Sequence, residues 1–173
     1  QTDKGYFVEL DATAFYPEGG GQACDLGTLG GAAVLDVQEH KVGFRVIEFQ
    51  PDGFYLNGVK TFLRGLNRHQ CYPYVGYAAP ESLQREDARI LKEELGCTAV
   101  RTSHYPQSQH FIDECDRRGL LVFTELPGWQ HIGDMAWKHQ AVENVREMVL
   151  QYRNHPSIVL WGVRINESQD DDE

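Results

Sequence analysis

The segment from Ile158 to Val163 is an uninterrupted apolar run, and it constrains the fold of this chain more than any other feature. A strand with apolar side chains on both faces is typical of a parallel sheet covered by helices. Polar residues follow the run at once, ending in Asn166-Glu167-Ser168. Because residues that follow the strands of a strand–helix barrel form its active face, Glu167 is the first candidate for a catalytic group.

From about residue 62 onward, short apolar segments alternate with amphipathic ones. The predicted strands cover residues 62–66, 98–102, 120–124 and 158–163. The predicted helices cover residues 80–96, 108–118 and about 137–152. Four strand–helix units at this spacing predict an α/β fold, namely the first half of a (β/α)8 TIM barrel.

A β-rich segment precedes this alternation. Residues 6–10 and 33–37 read as strands separated by glycine-rich turns, and residues 44–49 read as a further strand. Asp52-Gly53 and Asn57-Gly58 are dipeptides that favour tight hairpins. We therefore predict two parts, a β-rich segment over residues 1–39 and a partial barrel over residues 40–173.

Composition limits the partners of the chain. A formal charge of -10 on 173 residues disfavours a general nucleic-acid or anionic-membrane binder, and no apolar run has the length of a membrane span. The four cysteines are scattered without a C-x-x-C pair, which indicates reduced thiols and a cytoplasmic location. Since the chain starts at Gln1 and stops soon after Glu167, we expect it to be a fragment.

Polar side chains gather at the end of each predicted strand. Taken singly, such a histidine or carboxylate is more often structural, but four strand ends in register would converge on one rim. The candidates are Asn67 and His69, then His104, then Glu125, then Asn166 and Glu167.

Several segments of the chain resemble glycoside hydrolase family 2, the family of β-galactosidases and β-glucuronidases. The matching segments follow the family's order and spacing from about residue 40 to residue 173. They are Val42–Arg45, Asn57-Gly58, Arg64–His69, Arg101–Pro106, Cys115–Leu120, Asn154–Ser157 and Asn166–Ser168.

The resemblance implies a retaining exo-β-glycosidase that hydrolyses terminal β-galactosides or β-glucuronides. It implies that Glu167 is the general acid/base and that Asn166 contacts the sugar 2-hydroxyl. His69 and His104 would line the sugar pocket. Such an enzyme needs a second carboxylate about 5–5.5 Å from the acid as nucleophile. In the family this nucleophile is a Glu on a later strand, beyond Glu173, so we expect this chain alone to be inactive.

Asn67, Glu125 and Trp161 are further candidates for substrate contact, although packing is the commoner role of a barrel tryptophan. Large β-galactosidases of the family carry a metal site after the third strand. Residues 126–133 lack the Glu-x-His pair of that site, so we predict no metal and no cofactor.

Residues 10–22 and 24–27 resemble the alanyl-tRNA editing domain, whose zinc ligands are missing here. The join near residues 39–40 fits a natural fusion, an engineered chimera or an assembly error. Two alternatives to the glycosidase therefore stay open. One is a non-catalytic half barrel that self-associates through its open sheet edge. The other is a fragment of an editing deacylase that binds tRNA through residues 1–39.

Overall fold

The computed structural model describes Val8, residues 26–34 and residues 43–168. The chain divides into two compact units, Gln1–Lys41 and Val42–Glu173. The predicted strand over residues 6–10 lies outside the described residues, apart from Val8, which is not in a strand. Within the described ranges, no helix combines the length and the apolarity needed to cross a bilayer.

The described part of the first unit is a short hairpin. Strands β1 (Gly27–Leu29) and β2 (Ala32–Val34) pair in antiparallel fashion. Gly30 and Gly31 form the turn at φ values of 58° and 86°, a backbone region that glycine enters at little cost. The predicted strand over residues 33–37 is confirmed for its first two residues, and the remainder lies outside the described residues.

The second unit begins with a three-stranded antiparallel sheet of β3 (Ile47–Gln50), β4 (Gly53–Leu56) and β5 (Val59–Thr61). The hairpin turns predicted at Asp52-Gly53 and Asn57-Gly58 are confirmed. The first strand starts three residues later than predicted.

A four-stranded parallel sheet follows, and it confirms the predicted α/β fold of a partial barrel. Its strands pair in chain order, so each new strand adds to the same edge of the sheet. They are β6 (Gly65–Arg68), β7 (Ala99–Thr102), β8 (Leu121–Glu125) and β9 (Ile158–Gly162).

Strand β6 begins at Gly65 rather than at the predicted Phe62. The hydroxyl of Thr98 accepts a hydrogen bond from the backbone N–H of Arg64 and donates one to the carbonyl of Phe62, both at 2.8 Å. These side-chain bonds take the place of regular strand pairing before Gly65. A Cβ at Gly65 would lie 2.5 Å from the carbonyl oxygen of Ala99, so glycine permits the close approach of the two strands.

Three helices connect the parallel strands, as the sequence predicts. They are α1 (Glu81–Arg89), which continues as a π-helical turn over Ile90–Glu94, α2 (Gln109–Arg118) and α3 (Met135–Tyr152).

The ends of α2 and α3 are set by capping residues. The Ser108 hydroxyl accepts a hydrogen bond from the N–H of His110, and Gly119 ends α2 at a φ of 65°. Helix α3 starts two residues earlier than predicted because Asp134 accepts a hydrogen bond from the N–H of Trp137 at 3.0 Å.

Two apolar clusters lie on opposite faces of the parallel sheet. The larger one fills the space between the sheet and the helices, and Phe111, Ile112, Val122 and Ile158 are fully buried in it. The smaller one lies where the strands start and includes Phe54, Leu121 and Val159. The antiparallel sheet therefore covers the starting ends of the strands, and the opposite ends remain for polar residues.

Arg68 is the last residue of strand β6, and the predicted strand-end residue Asn67 also lies inside this strand and not beyond it. Its guanidinium donates to the Oδ2 of Asp87 at 2.6 Å and to the Oε1 of Gln84 at 2.8 Å. It also lies 4.0 Å from the ring centroid of Phe111. Arg68 therefore belongs to the contact between the sheet and its helices and is not available to a substrate.

Glu114 is the buried anion of helix α2. Hydrogen bonds from Arg117, and also from Arg118, lower the pKa of Glu114 to about 2, against the opposing effect of burial. A carboxyl whose pKa is lower in the folded state stabilises the fold above its unfolded pKa, near 4.5. That contribution is lost as the pH falls towards about 2.

We expect Glu114→Gln to lower the free energy of unfolding by about 1–3 kcal/mol at pH 7, because the ion pairs are lost. The difference from wild type should shrink between pH 5 and pH 3. Urea unfolding at the three pH values measures it. Glu86→Gln, which removes an exposed ion pair with Arg89, is the matched control and should change stability little. A loss that is equal at pH 7 and pH 3 would contradict this account.

Candidate active site

Glu125 is the centre of a polar cluster at the carboxyl ends of the strands. It is the last residue of β8, and only 1% of its surface is exposed. Its Oε1 accepts a hydrogen bond from the Nε of Arg101 at 2.6 Å. Its Oε2 lies 2.9 Å from the Nδ1 of His104. Both carboxylate oxygens are therefore occupied by protein partners.

His104 connects this buried carboxylate to Glu167. Its Nε2 lies 3.2 Å from the Oε1 of Glu167, which follows strand β9. The Glu167 side chain is 29% exposed, yet its Oε2 atom is shielded from solvent and has no hydrogen-bond partner among the described residues. One oxygen of Glu167 thus contacts His104, and the other has no hydrogen-bond partner within the described part of the chain.

Arg101 also orients Asn166. Its Nη2 donates a hydrogen bond to the Oδ1 of Asn166 at 2.7 Å. With Oδ1 engaged, the amide NH2 group of Asn166 is the part left to donate to a ligand. A shallow, open depression of about 380 Å³ lies here. Its lining comprises Arg101, Phe123, Glu125, Arg164, Ile165 and Asn166.

Strand alternation explains why these side chains meet. Arg101 and Glu125 lie one position away from Thr102 and Thr124, which are fully buried. Successive side chains of a strand point to opposite faces, so Arg101 and Glu125 share the face away from the helices. Gly162 pairs with Glu125, and a Cβ at this glycine would lie 2.6 Å from the Cγ of Glu125. Glycine therefore makes room for the carboxylate.

Aromatic rings surround the histidines of the site. The ring of Trp129 lies 4.8 Å from that of His104, edge to face, and 6.4 Å from that of His69. His69 is exposed and also lies 5.9 Å from His104. Trp129 is 52% exposed, so its ring offers an open apolar surface beside the charged groups.

The predicted site residues fall into three groups. His104, Glu125, Asn166 and Glu167 form one connected cluster, and His69 lies beside it. Asn67 is exposed and pairs with Arg101 across β6 and β7, on the same rim. Trp161 is half-buried and packs against the helix-side core, which favours a packing role, and its contact with a sugar stays a prediction.

Two corrections to the sequence-based assignments follow. Glu125 was expected to bind substrate, but its burial and its two protein partners make it a residue that holds other side chains. Arg101 was not singled out, although it contacts Glu125 and Asn166. Its charge stands out within the short strand segment Ala99–Thr102, and that charge was the sequence signal that could have identified it.

A second cluster of acidic and histidine side chains lies away from the rim. Asp113, Asp116 and His155 place ligand-type atoms within 4.8 Å of one another. The Nδ1 of His155 lies 2.6 Å from Asp116, and its Nε2 lies 3.1 Å from Gln109. Asp116 also accepts the N–H of Ser157 at 2.9 Å. Because the atoms of Asp116 and His155 are already paired, we interpret the cluster as a link between α2 and the turn before β9.

Four parallel strands joined by helices, with an arginine, a histidine and two carboxyl groups at their carboxyl ends, form part of a strand–helix barrel with polar groups on its active face. The model for glycosyl hydrolases family 2, TIM barrel domain, matches residues 47–173. The chain therefore belongs to glycoside hydrolase family 2, and this match covers its TIM barrel domain.

Two curated relatives are named β-galactosidase. The one from Thermoanaerobacterium thermosulfurigenes is 65% identical over 137 residues, which cover 79% of this chain and 19% of the relative. The one from Thermoanaerobacter pseudethanolicus is 62% identical over 139 residues, covering 80% and 19%. Among solved structures, apo β-glucuronidase 3 of Bacteroides uniformis matches with a TM-score of 0.69 and 37% identity, over 80% of this chain and 18% of that one.

The chain thus spans about a fifth of the length of the curated relatives that it matches. The family match begins at residue 47. The resemblance of residues 1–39 to the alanyl-tRNA editing domain stays a prediction.

We expect Gly162→Ala to lower the free energy of unfolding by about 1–3 kcal/mol, because the added methyl group would collide with Glu125 and Phe123. Urea unfolding at pH 7 measures the change. Gly128→Ala is the matched control, since nothing lies within 4 Å of a Cβ at that position. Equal stability of the two variants would show that Gly162 does not make room for Glu125.

Proposed function

We propose that this chain supplies the acid/base carboxyl group and a sugar-binding amide of a retaining exo-β-glycosidase that acts on terminal β-galactosides. The single observation that carries the proposal is the state of Glu167. One of its oxygens lies 3.2 Å from the Nε2 of His104, and the other has no hydrogen-bond partner among the described residues. The choice of β-galactoside over β-glucuronide rests on the names of the two relatives at 65% and 62% identity.

The reaction needs a group that gives and then takes a proton at one position. In the first step, Glu167 donates its proton to the glycosidic oxygen while a carboxylate attacks the anomeric carbon and the C–O bond breaks. In the second step, Glu167 removes a proton from the water that displaces the enzyme carboxylate. The contact of Oε1 with His104 supports a carboxyl group that stays near one position, as both steps require.

Glu125 is unsuited to be the attacking carboxylate, because it is buried and both of its oxygens are engaged. We therefore propose that the nucleophile comes from elsewhere in the whole enzyme, as the family resemblance implies. The described chain alone should then bind a sugar without hydrolysing it.

Asn166 supports the binding part of the proposal. Since Arg101 fixes its Oδ1, the NH2 group is oriented to donate to a sugar hydroxyl. Trp129 and His69 offer apolar ring surface next to it, which suits the C–H face of a sugar.

The cytoplasmic location of the protein stays a prediction from the cysteine pattern.

The role of Glu167 can be tested by transplanting residues 43–168 into the T. thermosulfurigenes β-galactosidase in place of its matching segment. In that hybrid, Glu167→Ala should lower kcat for an alkyl β-galactoside by about 10²–10⁴-fold, because proton transfer to the leaving oxygen is lost. Aryl galactosides with good leaving groups should form the covalent intermediate, and azide should then restore turnover and give the β-galactosyl azide.

Glu143→Ala, which removes an exposed carboxylate of α3, is the control and should leave kcat unchanged. Formation of the α-galactosyl azide by Glu167→Ala would identify Glu167 as the nucleophile instead. Wild-type rates in Glu167→Ala would remove it from the mechanism.

Self-association of the chain is a second candidate function. Within the described sheet, β6 and β9 are outer strands with a neighbour on one side. Phe62 and Leu66, beside and within β6, are 77% and 50% exposed. Exposed strand edges with apolar side chains favour pairing between chains. Sedimentation velocity should show concentration-dependent oligomers, and a compact monomer over the whole concentration range would contradict this proposal.

A further inference from the structure

The two ring nitrogens of His104 face two different carboxyl groups. Nδ1 lies 2.9 Å from the Oε2 of Glu125, and Nε2 lies 3.2 Å from the Oε1 of Glu167. His104 is 5% exposed, so the protein, and not water, supplies the partners of its ring. Which nitrogen carries hydrogen therefore depends on these neighbours.

The neighbours of Nδ1 favour a hydrogen on that atom. An ionised carboxylate accepts hydrogen bonds and cannot donate them. The Oε1 of Glu125 already accepts from Arg101 at 2.6 Å, so Oε2 is the oxygen left to accept from His104. A contact at 2.9 Å between Oε2 and Nδ1 then requires the hydrogen to be on Nδ1.

The Nη2 of Arg101 is a second neighbour of Nδ1, at 3.4 Å, and a hydrogen bond from it would need a bare Nδ1. Nη2 carries two hydrogens, and it also donates to the Oδ1 of Asn166 at the shorter distance of 2.7 Å. The Oε2 of Glu125, at 2.9 Å, is the nearer partner of Nδ1 and favours a hydrogen on that atom.

We propose that Glu125 is a positioning residue that fixes His104 in the tautomer with hydrogen on Nδ1. The bare Nε2 atom then faces Glu167 as a hydrogen-bond acceptor. A protonated Glu167 can donate its hydrogen to Nε2 before substrate binds, and the same hydrogen leaves Nε2 when it is given to the glycosidic oxygen. This inference rests on the proposed role of Glu167 as the acid/base, because it assigns the group that receives and orients the acid.

The tautomer is visible in two-bond 15N–1H correlation spectra of the histidine rings of the full chain, without substrate. In wild type, Nδ1 of His104 should give the shift of a protonated nitrogen and Nε2 that of a bare one. In Glu125→Gln, the amide oxygen should accept the hydrogen bond from Arg101, because a guanidinium only donates hydrogen bonds. The amide NH2 should then face Nδ1 and donate to it, so the protonated-type shift should move to Nε2.

Asp116→Asn is the matched control, because Asp116 pairs with the Nδ1 of His155 at 2.6 Å in a site away from the rim. It should alter the signals of His155 and leave those of His104 unchanged. The absence of the His104 signals in His104→Gln assigns them.

A wild-type spectrum with hydrogen on Nε2, whether or not Nδ1 also carries one, would overturn the proposal, and so would a Glu125→Gln spectrum that keeps the hydrogen on Nδ1. The wild-type spectrum decides the tautomer even if the variant does not fold. The histidine spectra need no turnover, so their result is independent of the azide experiment. Failure of azide rescue would remove the role of Glu167, and a wrong tautomer would remove only the role of Glu125.

Discussion

The buried charge of Glu125 is the interaction on which the site depends. A carboxylate removed from water costs several kcal/mol unless its oxygens find partners. Here Arg101 occupies one oxygen and His104 the other. The same two residues reach the segment after β9, through Asn166 and Glu167. The need to satisfy one buried carboxylate thus joins the ends of three consecutive strands.

Close strand contacts make this arrangement possible. Gly65 lets β6 approach β7, and Gly162 leaves space for the side chain of Glu125. The antiparallel sheet contributes Phe54 to an apolar cluster with Leu121 and Val159, at the starting ends of the strands. Apolar packing therefore fills one end of the parallel sheet, and the charged groups concentrate at the other, where barrel enzymes place their active sites.

The sequence predicted the order and type of the elements well, because the apolar runs of the strands and the caps of the helices are local signals. Gly119 ends α2 as expected. The first parallel strand was placed three residues too early, since its start depends on Thr98, which lies more than 30 residues further along the chain. No local pattern around Phe62 reports that contact.

Prediction of the site was uneven for a similar reason. The positions of His104, Asn166 and Glu167 follow from the strand ends, so a correct strand assignment brings them together. Glu125 was correctly placed on the rim, but its role changes once its burial and its partners are known. Arg101 was not predicted as a site residue, because its role depends on hydrogen bonds to two other segments of the chain. Trp161 packs towards the helices.

The most direct test of the central claim is a crystal structure of this chain at neutral pH. We predict that the oxygens of Glu125 will lie within hydrogen-bond distance of the Nε of Arg101 and the Nδ1 of His104, with Nε2 of His104 against Glu167. Electron density in which Glu125 is turned towards solvent, or Glu167 is separated from His104, would contradict the account.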